Sequence, residues 1–173
     1  SPSHGRVGAA RPAAPAGAPC LDSGDQRPAM SNAASLRLAL VEPDQPGNFG
    51  ALLRLAACLA LDLEVVEPCG FPLDERRIRR AAMDYAQHVA IRRHVDLPRF
   101  LSTMAAERRR VVLLSARAET TYHRFAFDRA DVLAVGSESR GAPAALVAQA
   151  AACLRIPLQP GMRSLNVVTA AAI

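Results

Sequence analysis

Short apolar runs that alternate with helical patterns constrain the fold of this chain more than any other feature. The runs typical of strands are LRLALVE, DLEVVEP, HVAIRRHV, RRVVLLSA, ADVLAVGSE and CLRIPLQ. The stretches with helical spacing are NFGALLRLAACLA, LDERRIRRAAMDYA, LPRFLSTMAAE and APAALVAQAA, and a last helix begins within PGMRSLNVVTAAAI. Strands that alternate with helices form βαβ units. The sequence therefore predicts an α/β fold, with a parallel sheet that carries helices on both faces.

This alternation begins only after a long segment rich in Pro, Ala and Gly. Residues 1–34 show no apolar period, and such a segment cannot bury enough surface to offset the entropy lost on ordering. We predict a disordered N-terminal extension over 1–34 and one compact domain over 35–173. The chain length of 173 residues suits a single domain with a sizeable core.

The charge balance of the chain is basic. Its net charge is +5 at pH 7, its sequence pI is about 9.7, and every basic side chain is Arg rather than Lys. A basic balance favours an anionic partner, nucleic acid above all. An Arg-rich solvated surface without a partner is the alternative, and composition alone does not separate the two.

The cysteines and histidines give no sign of a metal centre. The cysteines are Cys20, Cys58, Cys69 and Cys153, and the histidines are His4, His88, His94 and His123. No two cysteines form a C-x-x-C pair, and the histidines follow no metal-ligand spacing. The sequence also contains no apolar stretch of membrane-spanning length and no signal-peptide layout. We expect a reduced, cytoplasmic protein without structural metal.

Three loops of unusual composition follow predicted strands. They are EPDQPGNFGALLR, VGSESRGAP and IPLQPGMRSLN. Ligands of open parallel sheets bind at the carboxyl ends of the strands. We therefore expect the three loops to meet at one edge of the sheet and to form the functional site.

The second loop is bounded by two glycines. Gly136 directly follows a strand and Gly141 precedes a helix. Glycines there let the backbone approach a ligand closely, but they equally suit a tight strand-to-helix turn. The spacing is not G-x-G-x-x-G, and no acidic ribose partner stands at the expected distance. Dinucleotide binding is therefore weakly supported.

The first loop leads into a helix that carries an arginine. Asn48 suits either a helix cap or a functional amide. Arg54 stands among Leu52, Leu53 and Leu55, where a charged group needs a partner. A buried ion pair and a functional role are both compatible with this pattern.

Taken together, the three loops resemble the SPOUT superfamily of RNA methyltransferases, in the TrmH-like branch that methylates ribose 2'-hydroxyls. That branch carries an Asn six residues before an Arg, as in Asn48 and Arg54. It also has a strand followed by G-x-E-x-x-G, as in GSESRG, and S-x-N at the start of a helix, as in RSLN. The segment EPCGFPLDERRIRRAAMDY is similar to that of the tRNA wobble-position (cytidine/uridine-2'-O-)methyltransferases. The resemblance covers Leu36 to Ile173.

The resemblance implies a C-terminal trefoil knot, a homodimer, S-adenosylmethionine as cofactor and tRNA as substrate. It implies that the last helix completes the knot and the dimer interface. The chain stops early in that helix, so we expect the remainder to be missing. General topology rules would instead predict an unknotted sheet.

The same resemblance assigns roles to individual residues. The catalytic set is Arg54, Asn48, Ser164 and Asn166. The cofactor set is Leu114, Gly136, Glu138, Ile156, Leu158, Ser164 and Leu165. From their charge we further predict that RNA phosphates are bound by Arg76, Arg77, Arg79, Arg80 and Arg163, joined by Arg92 and Arg93, with an ordinary solvated helix face as the alternative. We expect Gly136 to leave room for the cofactor and Glu138 to tie loops together through backbone N–H groups.

Two other functions are compatible with this sequence. One is a ribosomal RNA 2'-O-methyltransferase, although such enzymes commonly carry a separate N-terminal RNA-binding domain and residues 1–34 are too short for one. The other is a non-catalytic RNA-binding protein on the same fold. The presence of Arg54, Ser164 and Asn166 argues against the latter.

Overall fold

The computed structural model describes residues 35–74, 76, 85 and 88–173. Within these residues the strands are β1 (Arg37–Val41), β2 (Asp62–Val66), β3 (Ile91–His94), β4 (Val111–Leu114), β5 (Thr120–Thr121), β6 (Val132–Val135) and β7 (Ala152–Arg155). They form one sheet in the order β3-β2-β1-β6-β4-β7-β5, and every pairing between neighbours is parallel. The predicted parallel sheet is confirmed, and the short β5 is a strand that the sequence pattern did not reveal.

Helices cover both faces of this sheet. They are α1 (Pro46–Cys58), α2 (Leu97–Ala106), α3 (Ala144–Gln149) and α4 (Val167–Ala172). The first and last of them share one face, where the buried side of α1 and the apolar residues of α4 pack on the same core cluster. The other face is covered by α2 and α3 through Phe100, Met104 and Leu146.

Strand β1 shows why its sequence is apolar at the four consecutive positions after Arg37. All five of its residues are buried. Leu38 and Leu40 face α1, whereas Ala39 and Val41 face α2 and α3. Side chains of a strand alternate between the two faces of a sheet, so a strand covered on both sides needs apolar residues at consecutive positions.

The connection between β4 and β5 crosses the strand that separates them. Only residues 115–119 join these two strands, yet β7 lies between them in the sheet. The Ser115 N–H donates to the Leu154 carbonyl at 2.8 Å, and Arg155 Nε–H donates to the Glu119 carbonyl at 3.3 Å. Both ends of this short connection are thus attached to β7, whose carboxyl end emerges beside it.

The predicted basic helix falls largely outside the described residues. Arg76 is helical and exposed, whereas Arg77, Arg79 and Arg80 lie outside, and the proposed cap by Asp74 is not described. In the described part of the chain, none of the helices has the length and apolar character required to cross a bilayer.

Candidate active site

The three predicted loops lie along neighbouring strands at the carboxyl edge of the sheet. The first follows β1, the second follows β6, and the third follows β7. Strands β1 and β6 are direct neighbours, and β4 separates β6 from β7. The expectation that these loops gather at one edge is therefore confirmed by the order of the strands.

Gly136 is required by the backbone of its own loop. A Cβ atom at this position would stand 2.5 Å from Ala142 N and 2.6 Å from the Gly141 carbonyl carbon. The loop closes through the Gly141 N–H, which donates to the Ser137 carbonyl at 2.8 Å, and Gly141 has a φ of +76°. We expected Gly136 to leave space for a ligand. The structure gives a different reason, since the 136–142 loop folds back onto its own first residue.

Asp44, in the first loop, holds the second loop with its carboxylate. Ser137 Oγ–H donates to Asp44 Oδ2 at 2.7 Å, and the Ser139 N–H donates to the same oxygen at 3.3 Å. The Ser139 hydroxyl donates to it as well. One carboxylate oxygen thus accepts hydrogen bonds from two serines of the neighbouring loop. These contacts tie the end of β1 to the end of β6.

Glu138 faces Asp44 in the same contact. The Asp44 N–H donates to Glu138 Oε2 at 3.3 Å, which is the kind of backbone contact predicted for Glu138. Burial and the hydrogen bond to the Asp44 carboxyl raise the pKa of Glu138. Hydrogen bonds from Glu138 and Ser139 lower the pKa of Asp44. Glu138 therefore binds its proton more strongly than Asp44 does, so Asp44 is the first of the two to ionise as the pH rises.

Asn48 and Asn166 join the remaining loop to this contact. The side chain of Asn48 lies near the Glu138 carboxyl and acts to lower the pKa of that group. Asn166 Nδ2–H donates to Asn48 Oδ1 at 3.1 Å, and Asn166 Oδ1 accepts the Val168 N–H at 2.9 Å. The prediction that Asn48 could cap α1 is wrong, because the helix already begins at Pro46; the residue that caps a helix is Asn166, at the start of α4. The first loop is thus hydrogen-bonded to both other loops, through Asp44 to the second and through Asn48 to the third.

Arg54 lies on the exposed side of α1. A buried ion pair, one of the two interpretations of its sequence context, is wrong because the side chain reaches solvent. Its guanidinium carbon stands 4.9 Å from the centroid of the Tyr85 ring, a cation–π geometry. The residue lines an open cavity of about 600 Å³ whose other lining residues are Pro46, Gly47, Gly50, Ala51, Leu55, Cys58 and Val168. A charged donor group therefore stands at the mouth of a largely apolar groove.

The predicted cofactor residues occupy the ends of three adjacent strands. Leu114 ends β4 and lies opposite Val135 of β6 and Leu154 of β7, so Gly136 and Ile156 follow on either side of it. Leu114 and Ile156 line a second cavity of about 430 Å³, together with Leu36, Tyr122, Phe127, Asp128, Arg129, Leu133 and the end of α4. Gly136, Leu158, Ser164 and Leu165, all within the described part of the chain, do not line it.

These positions fit a cofactor that has an adenine ring and a polar tail. Leu114, Ile156 and Leu158 are half-buried apolar side chains beside free strand ends, and Leu165 is 37% exposed. Apolar walls next to backbone polar groups are what a nucleoside site requires. Ser164 lies exposed in the loop between them and α4.

The arginines predicted to bind RNA differ in their surroundings. Arg76 and Arg163 are exposed. Arg93 donates through Nε and Nη2 to one oxygen of Glu67 at 2.9 and 2.7 Å, and Arg92 pairs with Glu107. An RNA phosphate would have to compete with these carboxylates, so Arg92 and Arg93 are weaker candidates than their sequence suggested.

Comparison with known proteins decides the family. Residues 35–173 match the SpoU rRNA Methylase family. The chain belongs to this family. The resemblance drawn from the motifs is thereby confirmed, and membership in the SpoU family makes the chain an S-adenosylmethionine-dependent RNA methyltransferase.

Individual relatives of this SpoU protein are also similar over most of its length. The tRNA (cytidine(34)-2'-O)-methyltransferase of Beijerinckia indica subsp. indica is 48% identical over 136 residues, which are 79% of this chain and 85% of that protein. A structure solved for insight into the 2-OH methylation of C/U34 on tRNA has a TM-score of 0.74 and 36% identity, covering 81% of this chain and 91% of the other. An AdoMet-bound rRNA methyltransferase from Sinorhizobium meliloti has a TM-score of 0.72 and 26% identity, covering 80% and 53%.

Asp44 is the site residue that sequence reasoning missed. It stands directly after a strand in the first motif, two residues beyond Glu42, and an acidic residue in that place carried no recognisable spacing. Only the neighbouring position of β1 and β6 gives it its partners Ser137 and Ser139.

The Asp44–Glu138 pair predicts a pH dependence of stability. A carboxyl whose pKa is raised in the folded state stabilises the protein fully below its unfolded-state pKa, about 4.3 for Glu, and this contribution is lost as the pH rises. Asp44 acts in the opposite sense. Because its pKa is lowered in the folded state, its contribution to stability is fully present above its unfolded-state pKa and is lost only as the pH falls below that value. Glu138→Gln cannot ionise, so wild type should lose stability relative to this variant from weakly acidic to neutral pH.

Denaturant unfolding at a series of pH values measures this difference. Asp44→Asn is the comparison variant, and it should flatten the same pH dependence only in part, because burial is the larger cause of the raised pKa of Glu138. If the free energies of unfolding of wild type and Glu138→Gln changed in parallel with pH, the raised pKa of Glu138 would be contradicted.

Proposed function

We propose that this chain transfers a methyl group from S-adenosylmethionine to the ribose 2'-hydroxyl of the wobble nucleotide in a tRNA anticodon. The observation that carries the proposal is the pair of hydrogen bonds Asp44–Ser137 and Asn48–Asn166, which join the three motif loops at one sheet edge beside Arg54. Relatives named for cytidine 34 of tRNA, among them one 48% identical, support this choice of substrate.

S-adenosylmethionine supplies a methyl group already activated on a sulfonium. The chain has to align the acceptor hydroxyl with that methyl group and to favour loss of the hydroxyl proton. Arg54 suits the second task as a donor rather than as a base, because a guanidinium stays protonated at ordinary pH. Its planar fork would orient an RNA phosphate and stabilise the developing alkoxide, while the hydroxyl proton would pass to that phosphate or to solvent water. Asn48, Asn166 and Ser164 would hold the substrate and the loop before α4.

The cofactor would lie at the ends of β4, β6 and β7. Leu114, Ile156 and Leu158 would provide apolar walls, and the backbone around Gly136, Ser164 and Leu165 would provide hydrogen-bonding groups. Glu138 would affect this site indirectly, through its contacts with the first loop. Its contacts with Asp44 and Asn48 favour a structural role for Glu138 rather than a direct part in the chemistry.

A trefoil knot would give this site its shape. The position of β7 between β4 and β5, which are joined only by residues 115–119, supports the proposal, because this connection has to cross β7 where the chain continues towards α4. We assign residues 35–173 to this methyltransferase domain and place the protein in the cytoplasm, where its substrate would be. We propose that it works without a structural metal.

A homodimer is the proposed assembly. The outer face of α1 offers the open groove around Leu55, Cys58 and Val168, and Leu59 beside it is 55% exposed. Burial of this apolar surface against a second copy would stabilise a dimer. Light scattering on the full-length protein should give twice the monomer mass. Leu59→Arg should shift the mass towards the monomer, and a monomeric wild-type protein would contradict the assembly.

The basic cluster predicts how the protein binds RNA. Replacement of Arg76, Arg77, Arg79 and Arg80 by Gln should weaken tRNA binding and flatten its salt dependence, because phosphate contacts release counterions. Affinity for S-adenosylmethionine should not change. The control substitutions replace Arg99 in α2 and Arg108 just after it, both of which are exposed on the other face of the sheet. The change in the salt slope is compared per positive charge removed. Equal salt slopes for both sets of variants would show that the cluster is an ordinary solvated surface.

The experiment that tests the reaction is mass-spectrometric mapping of ribose methylation in cells with and without the protein. We expect loss of one 2'-O-methyl group at the wobble position of a tRNA. Unchanged tRNA together with a lost ribosomal RNA methylation would favour the ribosomal alternative. No change in either RNA, without cofactor binding in calorimetry, would favour a non-catalytic RNA-binding protein.

A further inference from the structure

The Asp44 carboxylate is placed unusually for a residue of a surface loop. Its Oδ2 collects hydrogen bonds from Ser137 and Ser139, whereas its Oδ1 is buried and has no hydrogen-bond donor in the described part of the chain. Buried acceptors without a donor cost free energy. The group that faces this oxygen pair is the carboxyl of Glu138, and a protonated carboxyl there would supply the missing donor.

The 136–142 loop has few other means of holding its shape. Its internal closure consists of the Gly141–Ser137 backbone contact and a weak Arg140 N–H to Ser137 Oγ contact at 3.4 Å. Towards the first loop it makes the Asp44 contacts and one ion pair, between Arg140 and Glu42 at 3.3 Å, in which the Arg140 side chain is 60% exposed. An exposed ion pair contributes little, so Asp44 is the principal attachment.

We propose that Asp44 is a positioning residue that sets the conformation of the 136–142 loop, because its Oδ2 accepts hydrogen bonds from Ser137 and Ser139 and its backbone N–H donates to Glu138. Asp44 touches neither the cofactor nor the ribose. It acts through the loop that borders the cofactor site and through Asn48, which lies in the same helix as Arg54. This inference rests on the proposed function.

The groups around this pair are few. From the first loop it is faced by Asn48, and from the second by Ser137 and Ser139. Gly70 packs against it from a third side, since a Cβ there would stand 2.8 Å from Asp44 Cβ. The pair is therefore held by three separate segments, which gives the carboxylate one well-defined position.

Substitution of Asp44 tests the proposal with calorimetric titration of S-adenosylmethionine into the full-length protein. Asp44→Ala should weaken cofactor binding about 10-fold, the scale of one lost charge-assisted contact. Asp44→Asn should restore affinity to within about 3-fold of wild type, because its amide accepts from the serines and donates to Glu138. Ser139→Ala, an exposed change, should weaken binding about 3-fold in the same direction. Glu42→Gln breaks the ion pair between the same loops and is the control, expected to stay within about 2-fold.

Hydrogen exchange without cofactor gives a second measurement. The amides of the 136–142 loop, Gly141 above all, should exchange faster in Asp44→Ala and at the wild-type rate in Glu42→Gln. A merely structural role would lower the melting temperature and leave the affinity of the folded protein unchanged. If Asp44→Ala does not fold, Ser139→Ala carries the same test.

The two levels of the proposal fail in different ways. Wild-type affinity in Asp44→Ala or Ser139→Ala, or an equal loss in Glu42→Gln, would overturn the role of Asp44 and leave the methyltransferase assignment untouched. A wild-type protein that binds no S-adenosylmethionine would overturn the proposed function and this inference with it.

Discussion

Arg54→Lys is expected to lower single-turnover methylation of tRNA by roughly 100-fold or more, comparable to removal of one transition-state donor. Lysine keeps the positive charge and can keep the contact with the Tyr85 ring, but it offers a point charge in place of a planar fork. If Arg54 orients phosphate and alkoxide together, that fork is what the reaction needs. Because the side chain is exposed, the fold and the affinity for S-adenosylmethionine should be unchanged.

Thermal melts and calorimetry on the same samples separate chemistry from folding. Arg99→Lys, the same change at an exposed position on α2, is the matched control and should keep wild-type turnover. Near-normal turnover in Arg54→Lys would remove Arg54 from the mechanism, and the reaction would then depend on the cofactor loops alone.

Gly136→Ala is expected to abolish measurable cofactor binding and to destabilise the fold by about 1–3 kcal/mol, the usual cost of overpacking. The added methyl group would meet three backbone atoms of Gly141 and Ala142 between 2.5 and 2.7 Å away. Backbone cannot move aside as a flexible side chain can, so the 136–142 loop would have to open. Opening it would displace Ser137 and Glu138 from Asp44.

Gly47→Ala controls for the substitution itself. A Cβ at Gly47 meets nothing within 4 Å, and the residue lies in α1. Alanine there should be neutral or stabilising by up to about 1 kcal/mol, because it is the better helix former. Denaturant unfolding and titration with S-adenosylmethionine measure both variants. Wild-type binding by Gly136→Ala would show that the loop tolerates rearrangement and that its tight closure is not needed for the cofactor site.

Much of the fold could be predicted because its signals are local. The apolar runs of β1, β2 and β4 and the periodicity of α1 and α2 lie in consecutive residues, and the structure contains all of these elements. The strand β5 escaped prediction, since two threonines carry too little pattern to mark a strand. The start of α1 was predicted two residues late because Pro46 in its first turn was assigned to the preceding loop.

The candidate site was predictable only in part. Gly136, Asn48 and Asn166 were found through motif spacing, but the structure adds a reason for Gly136 and overturns the capping role considered for Asn48. Gly136 is required because a side chain there would clash with the backbone of its own loop. Asn48 accepts a hydrogen bond from Asn166 instead of capping a helix. Such roles depend on atoms far away in the chain, which no local pattern encodes.

The sequence by itself determined the alternation of strands and helices, the basic character of the chain and the motif residues that identify its family. The tertiary structure alone decided that β6 lies beside β1 and that β7 lies between β4 and β5. That order brings Asp44 to Ser137 and Asn48 to Asn166, across 93 and 118 residues of chain. The physical reason is that a parallel sheet brings loops together by the order of its strands, whereas propensity and periodicity act only between near neighbours.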